Sequence, residues 1–367
     1  MGRPVVITGG GTGGHLFPMM AVAEALKSFG VATSELHYVG SRRGQEAQLL
    51  GDGEVTLTLL PGRGIVRSVR PKALLDNLGA LCGLLAAISA AIFLLIKWRP
   101  RAVVSVGGYA ALAVDLAAVV TRTPLVLIEY DVVPGATHRL VGRFAWRRCT
   151  AFASPDPRAV VTGAPLRESI TRIDRSAVKL VRGEMATGRW TVVVMTGSLG
   201  ARSVNRAVVE LANIWRDRED ISLLHVTGRR DATALAGLWD PRLDDRLNYQ
   251  QIPFADMETL WSVADIAICR AGALTVAELT YLGIPSVLVP LPGAPDDHQT
   301  KNARAVERCG GAIVLSDALC SAMALADLID PLLAAPERLR AMADSARSLR
   351  HEDAAKAIAA VVLEAAR

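Results

Sequence analysis

Aromatic side chains make up only 5% of this 367-residue sequence, and only six of its 41 basic residues are lysine. A basic surface without interleaved aromatics lacks the stacking platforms that hold single-stranded nucleic acid, so no nucleic-acid partner is expected. The five cysteines (Cys82, Cys149, Cys269, Cys309 and Cys320) are odd in number and widely spaced, with no Cys-x-x-Cys. That excludes a disulfide framework and a zinc site and fits reduced thiols. There is no Asp-x-Asp pair to bridge a metal to a nucleotide. No leader is expected either, because Met1-Gly-Arg-Pro runs directly into the strand-like Val5-Val-Ile-Thr8. What is abundant is apolar: 51% hydrophobic against 21% charged residues, with a net charge of +5. Disorder is excluded, and the mild basic excess suits anionic lipid or a phosphorylated ligand.

Short β-branched runs alternate with helical patterns. Pro4–Thr8, Leu36–Gly40, Ala102–Val106 and Leu125–Ile128 read as strands, with helices at Met19–Phe29, Arg43–Leu50, Leu74–Trp98 and Leu112–Thr121. The grammar restarts at Trp190, with strands at Thr191–Thr196, Ile221–Thr227, Asn248–Ile252, Ile266–Cys269, Ser286–Pro290 and Ala312–Leu315. Strands spaced by helices predict a parallel α/β sheet, and two windings predict two Rossmann-like domains. The expected division is 1–161 and 162–367, with the last helix free to return to the first domain. Ligands of such sheets bind at the carboxyl ends of the strands, so two sheets facing each other would place the site in the cleft.

Leu78–Ile96 contains no charged residue, long enough to cross a bilayer. It lies between strands of one sheet, however, and crossing would tear that sheet apart. An apolar helix flanked by Arg63, Arg67, Arg70 and Lys72 before it, and Lys97, Arg99 and Arg101 after it, instead predicts a peripheral anchor on an anionic membrane surface.

Three glycine turns follow strands. Thr8-Gly-Gly-Gly-Thr-Gly-Gly-His15 brings backbone N–H groups and a helix N-terminus to a potential anion, with His15 at its mouth as candidate general base. The second strand ends in Gly40 and Ser41, without the acidic residue that NAD would require. Gly107-Gly108-Tyr109 is the second turn and Thr196-Gly-Ser-Leu-Gly-Ala-Arg202 the third. Any one could be a tight turn only; three suggest several phosphate groups. Cys269-Arg-Ala-Gly-Ala-Leu-Thr-Val-Ala-Glu278 then opens a helix with a carboxylate able to take two ribose hydroxyls or merely to offset a helix dipole. Pro295-Asp-Asp-His-Gln-Thr-Lys-Asn302 begins another helix with groups able to read a sugar.

In this order along nearly the whole chain, these motifs resemble the MurG family of glycosyltransferases. The glycine loops Gly9–His15 and Gly107–Tyr109, the junction Gly163-Ala-Pro-Leu-Arg167, the loop Gly197-Ser-Leu-Gly-Ala201, the intact Gly-Ala-Leu-Thr-x-x-Glu at Gly272–Glu278, and Asp297-His-Gln299 with Asn302 carry the likeness. It implies a GT-B fold, two Rossmann-like domains facing across a cleft. It implies an inverting transfer of a sugar from a UDP-sugar to a lipid-linked acceptor at the cytoplasmic face of the bacterial plasma membrane, without cofactor or essential metal.

By this resemblance His15 and Asp131 are the catalytic candidates. The donor falls to Arg167, Ser198, Phe254, Ala273, Leu274, Thr275, Glu278, His298 and Gln299. The acceptor diphosphate falls to Thr12, Gly13, Gly14, Gly107, Gly108 and Tyr109. Departures from the family pattern are Ile128-Glu-Tyr-Asp131 for His-Glu-Gln-Asn, Leu199 for a Gln and Ala164 for an Asn. They raise the alternative of another UDP-sugar, such as a hexuronic acid, carried to a phosphoglycolipid. A UDP-sugar epimerase and a non-catalytic scaffold on the membrane are the readings from other classes.

Overall fold

The computed structural model describes residues 2–10, 13–42, 56–61, 71–108, 110–175, 189–197, 199–235, 237–241 and 245–367; the side chains at 13 and 71–79 are also outside the description. The expected helix at Arg43–Leu50 falls outside the described residues. The chain forms two compact units, the first made of residues 1–167 with 351–367 and the second of 168–350.

In the first unit the order is β1 (Val5–Thr8), α1 (Gly13–Ser28), β2 (Leu36–Ser41), β3 (Thr56–Leu60), α2 (Pro71–Trp98), β4 (Ala102–Ser105), α3 (Leu112–Thr121), β5 (Leu125–Glu129), α4 (Ala136–Val141), β6 (Arg147–Thr150) and β7 (Ala159–Val161). All seven strands pair in parallel in the order β3-β2-β1-β4-β5-β6-β7. A parallel sheet is covered on both faces, which is why β1, β4 and β5 are buried at every position.

The second unit begins with the short α5 (Glu168–Thr171) and then runs β8 (Trp190–Met195), α6 (Arg202–Ile214), β9 (Ile221–Val226), α7 (Arg229–Leu235), β10 (Asn248–Ile252), α8 (Met257–Val263), β11 (Ile266–Cys269), α9 (Ala273–Leu282), β12 (Ser286–Leu288), α10 (His298–Arg308), β13 (Ala312–Val314), α11 (Ala322–Leu333) and α12 (Pro336–Arg347). Its six strands are parallel in the order β10-β9-β8-β11-β12-β13. The last helix, α13 (Ala354–Ala365), packs in the first unit against α1, β4, β5 and β6. In both sheets the winding reverses beside the first strand, between β1 and β4 and between β8 and β11. There the outgoing chains diverge and leave a crevice, and the glycine turns sit at those places.

α2 packs one face on α3 through Ala87, Ala91 and Leu95, all buried. The opposite face shows Leu81, Leu85, Phe93 and Ile96, the last three more than half exposed.

At the carboxyl end of β8, Gly197 and Gly200 both adopt φ +87°, yet their surroundings differ. A Cβ at Gly197 meets nothing within 4 Å, whereas one at Gly200 would lie 2.5 Å from the Thr227 carbonyl and 2.7 Å from Asp231 Oδ2. Gly197→Ala is therefore expected to cost only left-handed strain, about 1 kcal/mol. Gly200→Ala adds a clash with backbone and should cost at least about 2 kcal/mol more. Urea unfolding of the two variants checks the difference; equal losses would show that the close approach does not govern this turn.

Candidate functional site

The first unit gathers its polar groups around the second glycine turn. Gly107 and Gly108, at φ +86° and +83°, turn the chain after β4. The turn runs against α1: a Cβ at Gly108 would lie 2.8 Å from the Gly10 carbonyl and 3.5 Å from His15 Nε2. His15, two residues into α1, therefore stands beside the turn, with the Tyr130 ring 6.2 Å from its own. Burial, and secondarily the charge of His138, push its pKa down to about 4. At neutral pH the imidazole is uncharged and keeps a lone pair.

α1 begins six residues before the helical pattern at Met19, and it contains Pro18. Proline has no N–H, so the carbonyl four residues back, on Gly14, loses its helical partner. The Tyr130 hydroxyl donates to that carbonyl at 3.0 Å. This bond fastens the segment after β5 to the glycine-loop helix, and Asp131 follows directly. Neither Tyr130 nor its link to Pro18 was evident from the motifs, although the missing amide of Pro18 was the signal for it. Arg139 donates to the Pro134 carbonyl at 3.2 Å. Arg167 ends the first unit with its guanidinium 4.4 Å over the Phe17 ring. Thr12 and Tyr109 lie outside the described residues, and Gly13 and Gly14 form the first turn of α1.

In the second unit, α6 and α9 both start at the carboxyl edge of the sheet, after β8 and β11, without a side-chain cap. Their first N–H groups, those of Ala273, Leu274 and Thr275 on α9, are thus not taken by a capping side chain and can meet an anion. Glu278 is buried one turn further along, and its Oε2 accepts from the Trp261 indole at 2.8 Å. Trp261, on α8 and fully buried, fixes the carboxylate's orientation; sequence reading had singled out the Glu and missed the Trp. Gln299 Oε1 accepts from the Leu291 amide at 3.0 Å, which directs its NH₂ donors elsewhere. His298 Nδ1 lies 2.8 Å from the Pro295 carbonyl; since a carbonyl only accepts, Nδ1 carries hydrogen and Nε2 of the neutral ring is an acceptor. Phe254 is 60% exposed, and the Arg229 guanidinium sits 4.6 Å over its ring. Ser198 lies outside the described residues. Arg202 and Arg230, both on Asp231, add positive charge beside the third glycine turn.

Two parallel α/β units, each with glycine turns and helix N-termini at its switch point, are the two halves of a GT-B fold. Residues 5–149 match the glycosyltransferase family 28 N-terminal domain and residues 191–358 its C-terminal domain. Over 371 aligned residues, covering all of both chains, the sequence is 41% identical to the UDP-N-acetylglucosamine–N-acetylmuramyl-(pentapeptide) pyrophosphoryl-undecaprenol N-acetylglucosamine transferase of Alkalilimnicola ehrlichii. The fold superposes on the crystal structure of Acinetobacter baumannii MurG with TM-score 0.78 at 28% identity, over 99% of this chain and 100% of that one. The chain belongs to the MurG family within glycosyltransferase family 28. The Neisseria meningitidis UDP-GlcNAc 2-epimerase also superposes, at TM-score 0.67 over 98% of this chain and all of that one; at 16% identity this shows a shared fold alone.

The Pro18–Tyr130 pairing predicts a double-mutant cycle. Tyr130→Phe should cost about 1 kcal/mol, because the Gly14 carbonyl loses its donor. Pro18→Ala supplies the missing amide, so in that background Tyr130→Phe should cost almost nothing. Thermal or urea unfolding measures the coupling; additive losses would dismiss it.

Proposed function

We propose that this chain transfers N-acetylglucosamine from UDP-N-acetylglucosamine to N-acetylmuramyl-(pentapeptide) pyrophosphoryl-undecaprenol, the step from lipid I to lipid II of peptidoglycan synthesis. The observation that carries it is the 41% identity over the entire chain to an enzyme of that name. The same full-length identity favours this donor over the alternative sugar and over epimerisation. In the inverting transfer the acceptor hydroxyl attacks the anomeric carbon while the bond to UDP breaks. Uncharged His15 takes the proton of that hydroxyl, and Asp131 accepts from a sugar hydroxyl. The glycine turns at Gly13–Gly14 and Gly107–Gly108, with Thr12 and Tyr109, take the acceptor's diphosphate. Glu278 takes the ribose hydroxyls, Phe254 packs on the base, and His298 and Gln299 read the sugar. Arg167, Ser198 and the N–H groups at Ala273, Leu274 and Thr275 meet the charge of the departing diphosphate. On this reading no metal or cofactor is needed. UDP release from UDP-N-acetylglucosamine in the presence of the lipid acceptor tests the function; turnover with a different UDP-sugar only would reject it.

The geometry around Glu278 predicts a graded series. Glu278→Ala should raise the KM for the UDP-sugar strongly while leaving lipid binding intact. Trp261→Phe keeps the carboxylate but frees its orientation, and should raise the same KM about fivefold, the equivalent of one neutral hydrogen bond. A donor KM unchanged in Glu278→Ala would remove that residue from the ribose.

The chain is further read as peripheral on an anionic membrane. Ala80–Trp98 has mean hydropathy 2.3 and is only 22% buried, long and apolar enough to cross a bilayer. It nevertheless connects β3 to β4 of one sheet and packs on α3, so its exposed stripe suits lying in the interface. At its end, a groove of about 390 Å³ is lined by Ile92, Ile96 and Val120 together with Arg3, Arg99 and Arg122, apolar walls beside cations. Leu85→Gln, Phe93→Ser and Ile96→Gln together should abolish sedimentation with anionic vesicles and leave the melting temperature within a few degrees. Leu95→Gln should instead unfold the first unit, since Leu95 lies in the core. Vesicle binding retained by the triple variant would refute the interfacial reading.

A further inference from the structure

Beneath the Gly107–Gly108 turn lies a chain of buried polar groups that the reaction as described does not use. Ser105, the last residue of β4, has its Oγ 3.1 Å from Asp115 Oδ2 and 3.2 Å from His138 Nε2, and it accepts from the Gly107 amide at 3.3 Å. His138 Nδ1 faces Glu129 Oε1 at 3.6 Å. Glu129 is gripped on both oxygens by Arg148, at 3.1 and 2.7 Å, and Arg148 continues to Asp156. A Cβ at Gly107 would lie 3.2 Å from His138 Nε2, so the imidazole supports one side of the glycine pair while His15 contacts the other.

One serine proton cannot serve both neighbours. If Ser105 donates to ionised Asp115, His138 must donate to Ser105 from Nε2, and facing Glu129 it is then favoured as imidazolium. If Asp115 is protonated, the bonds reverse, Ser105 donates to Nε2, and His138 is neutral with its hydrogen on Nδ1. The two arrangements hold equal numbers of protons and the same net charge, but only the first puts a positive charge on His138. Asp115 is wholly buried, its Oδ1 has no partner among the described residues, and burial raises its carboxyl pKa to about 6, so the protonated arrangement is accessible. The second unit offers the contrast. Buried His225 donates to Asn205 Oδ1 at 2.9 Å and accepts from the Tyr249 hydroxyl at 2.9 Å, with Gln251 donating to Tyr249 in turn. That network is closed and charge-free at His225; the one beneath Gly107 is not.

We propose that His138 is a positioning residue that holds the Gly107–Gly108 turn against His15 and sets the electrostatic field in which that imidazole exchanges its proton. The groups that face it are Ser105 and Asp115 from β4 and α3 and Glu129 from β5, with Arg148 from β6 behind Glu129 and His15 from α1 across the turn. On its own helix Arg139 is turned to the Pro134 carbonyl, and beyond the helix Arg143 lies over Phe144. A positive charge on His138 opposes a second one on His15, and removing it must raise the affinity of His15 for a proton. The effect on activity rests on the reading of His15 as the base; the effect on its titration does not.

The chain has six histidines, few enough to follow each by NMR in histidine-labelled protein, with His15 assigned through His15→Gln. In His138→Gln, which keeps a neutral donor for Ser105, the His15 midpoint should rise by at least about half a pH unit, a threefold gain in proton affinity. The acid limb of kcat/KM should rise with it, while a merely structural role would lower the melting temperature and leave the limb in place. His138→Asn is the second variant, and it should raise the His15 midpoint in the same direction. An unmoved His15 midpoint in folded His138→Gln, or in folded His138→Asn if the first variant does not fold, overturns the proposal. A moved midpoint with an unmoved acid limb upholds the coupling and refutes His15 as the base.

Discussion

Close approach of backbone to backbone at the carboxyl ends of the two sheets is the constraint on which the rest depends. Gly108 comes so near the Gly10 carbonyl, and Gly200 so near that of Thr227, that a single methyl group would collide with either. Both residues also hold φ above +80°. Only glycine meets both conditions. The consequence is that N–H groups, rather than side chains, line the switch point of each sheet. Parallel sheets supply the crevice and glycine keeps it open to a phosphate.

Such turns leave polar groups buried beneath them, and the two units answer that cost differently. In the second, Thr196, Asn205, His225 and Tyr249 form a closed circuit in which each acceptor meets a donor. Burial pushes the His225 pKa down to about 3, so it stays neutral and serves the fold. In the first, Glu129 faces the His138 imidazole directly and Asp115 reaches it through Ser105, and Asp115 Oδ1 has no partner among the described residues. An unpaired buried carboxylate oxygen costs free energy of the order of 1–3 kcal/mol, and a purely structural network has no reason to retain it.

The legibility of the sequence followed the strength of local signals. Five of the six strands of the second unit were readable as short, largely apolar runs between turn residues, and β10, Asn-Tyr-Gln-Gln-Ile, from its place in the alternation of strands and helices. In the first unit β6 was hidden by two charges, Arg148, which enters an ion-pair chain with Glu129 and Asp156, and Arg147, which lies over the Trp146 ring. β7 has only three residues and β3 sits at a sheet edge, so neither carried enough burial to mark itself. The beginning of α1 was masked by its glycines and by Pro18, residues that argue against a helix locally; the glycine-rich turn and the Tyr130 hydroxyl overrule them. Among the site residues, motif positions such as His15 and Glu278 were visible. The residues that hold them, Tyr130 and Trp261, were not, because a hydrogen bond across 116 or 17 positions leaves no periodic trace.

α2 shows how one composition can satisfy two solvents. A helix apolar all round would ordinarily be read as a span or as a core element. Here small residues, Ala80, Ala87 and Ala91, face inward, where they let α2 lie close on α3. Four large ones, Leu81, Leu85, Phe93 and Ile96, face outward, where no described part of the unit covers them, while Leu95 enters the core beside the alanines. An ordinary core helix would reverse that arrangement, since the largest side chains gain most from burial. A spanning helix would not be tied at both ends to strands of one seven-stranded sheet. The alanines and Leu95 on one side of an otherwise uniform helix, and four exposed large side chains on the other, thus separate the face that builds the sheet's cover from the face that meets an apolar surface. The arginines at 99 and 122, each ending its helix with a left-handed φ, then bring cations to the edge of that surface.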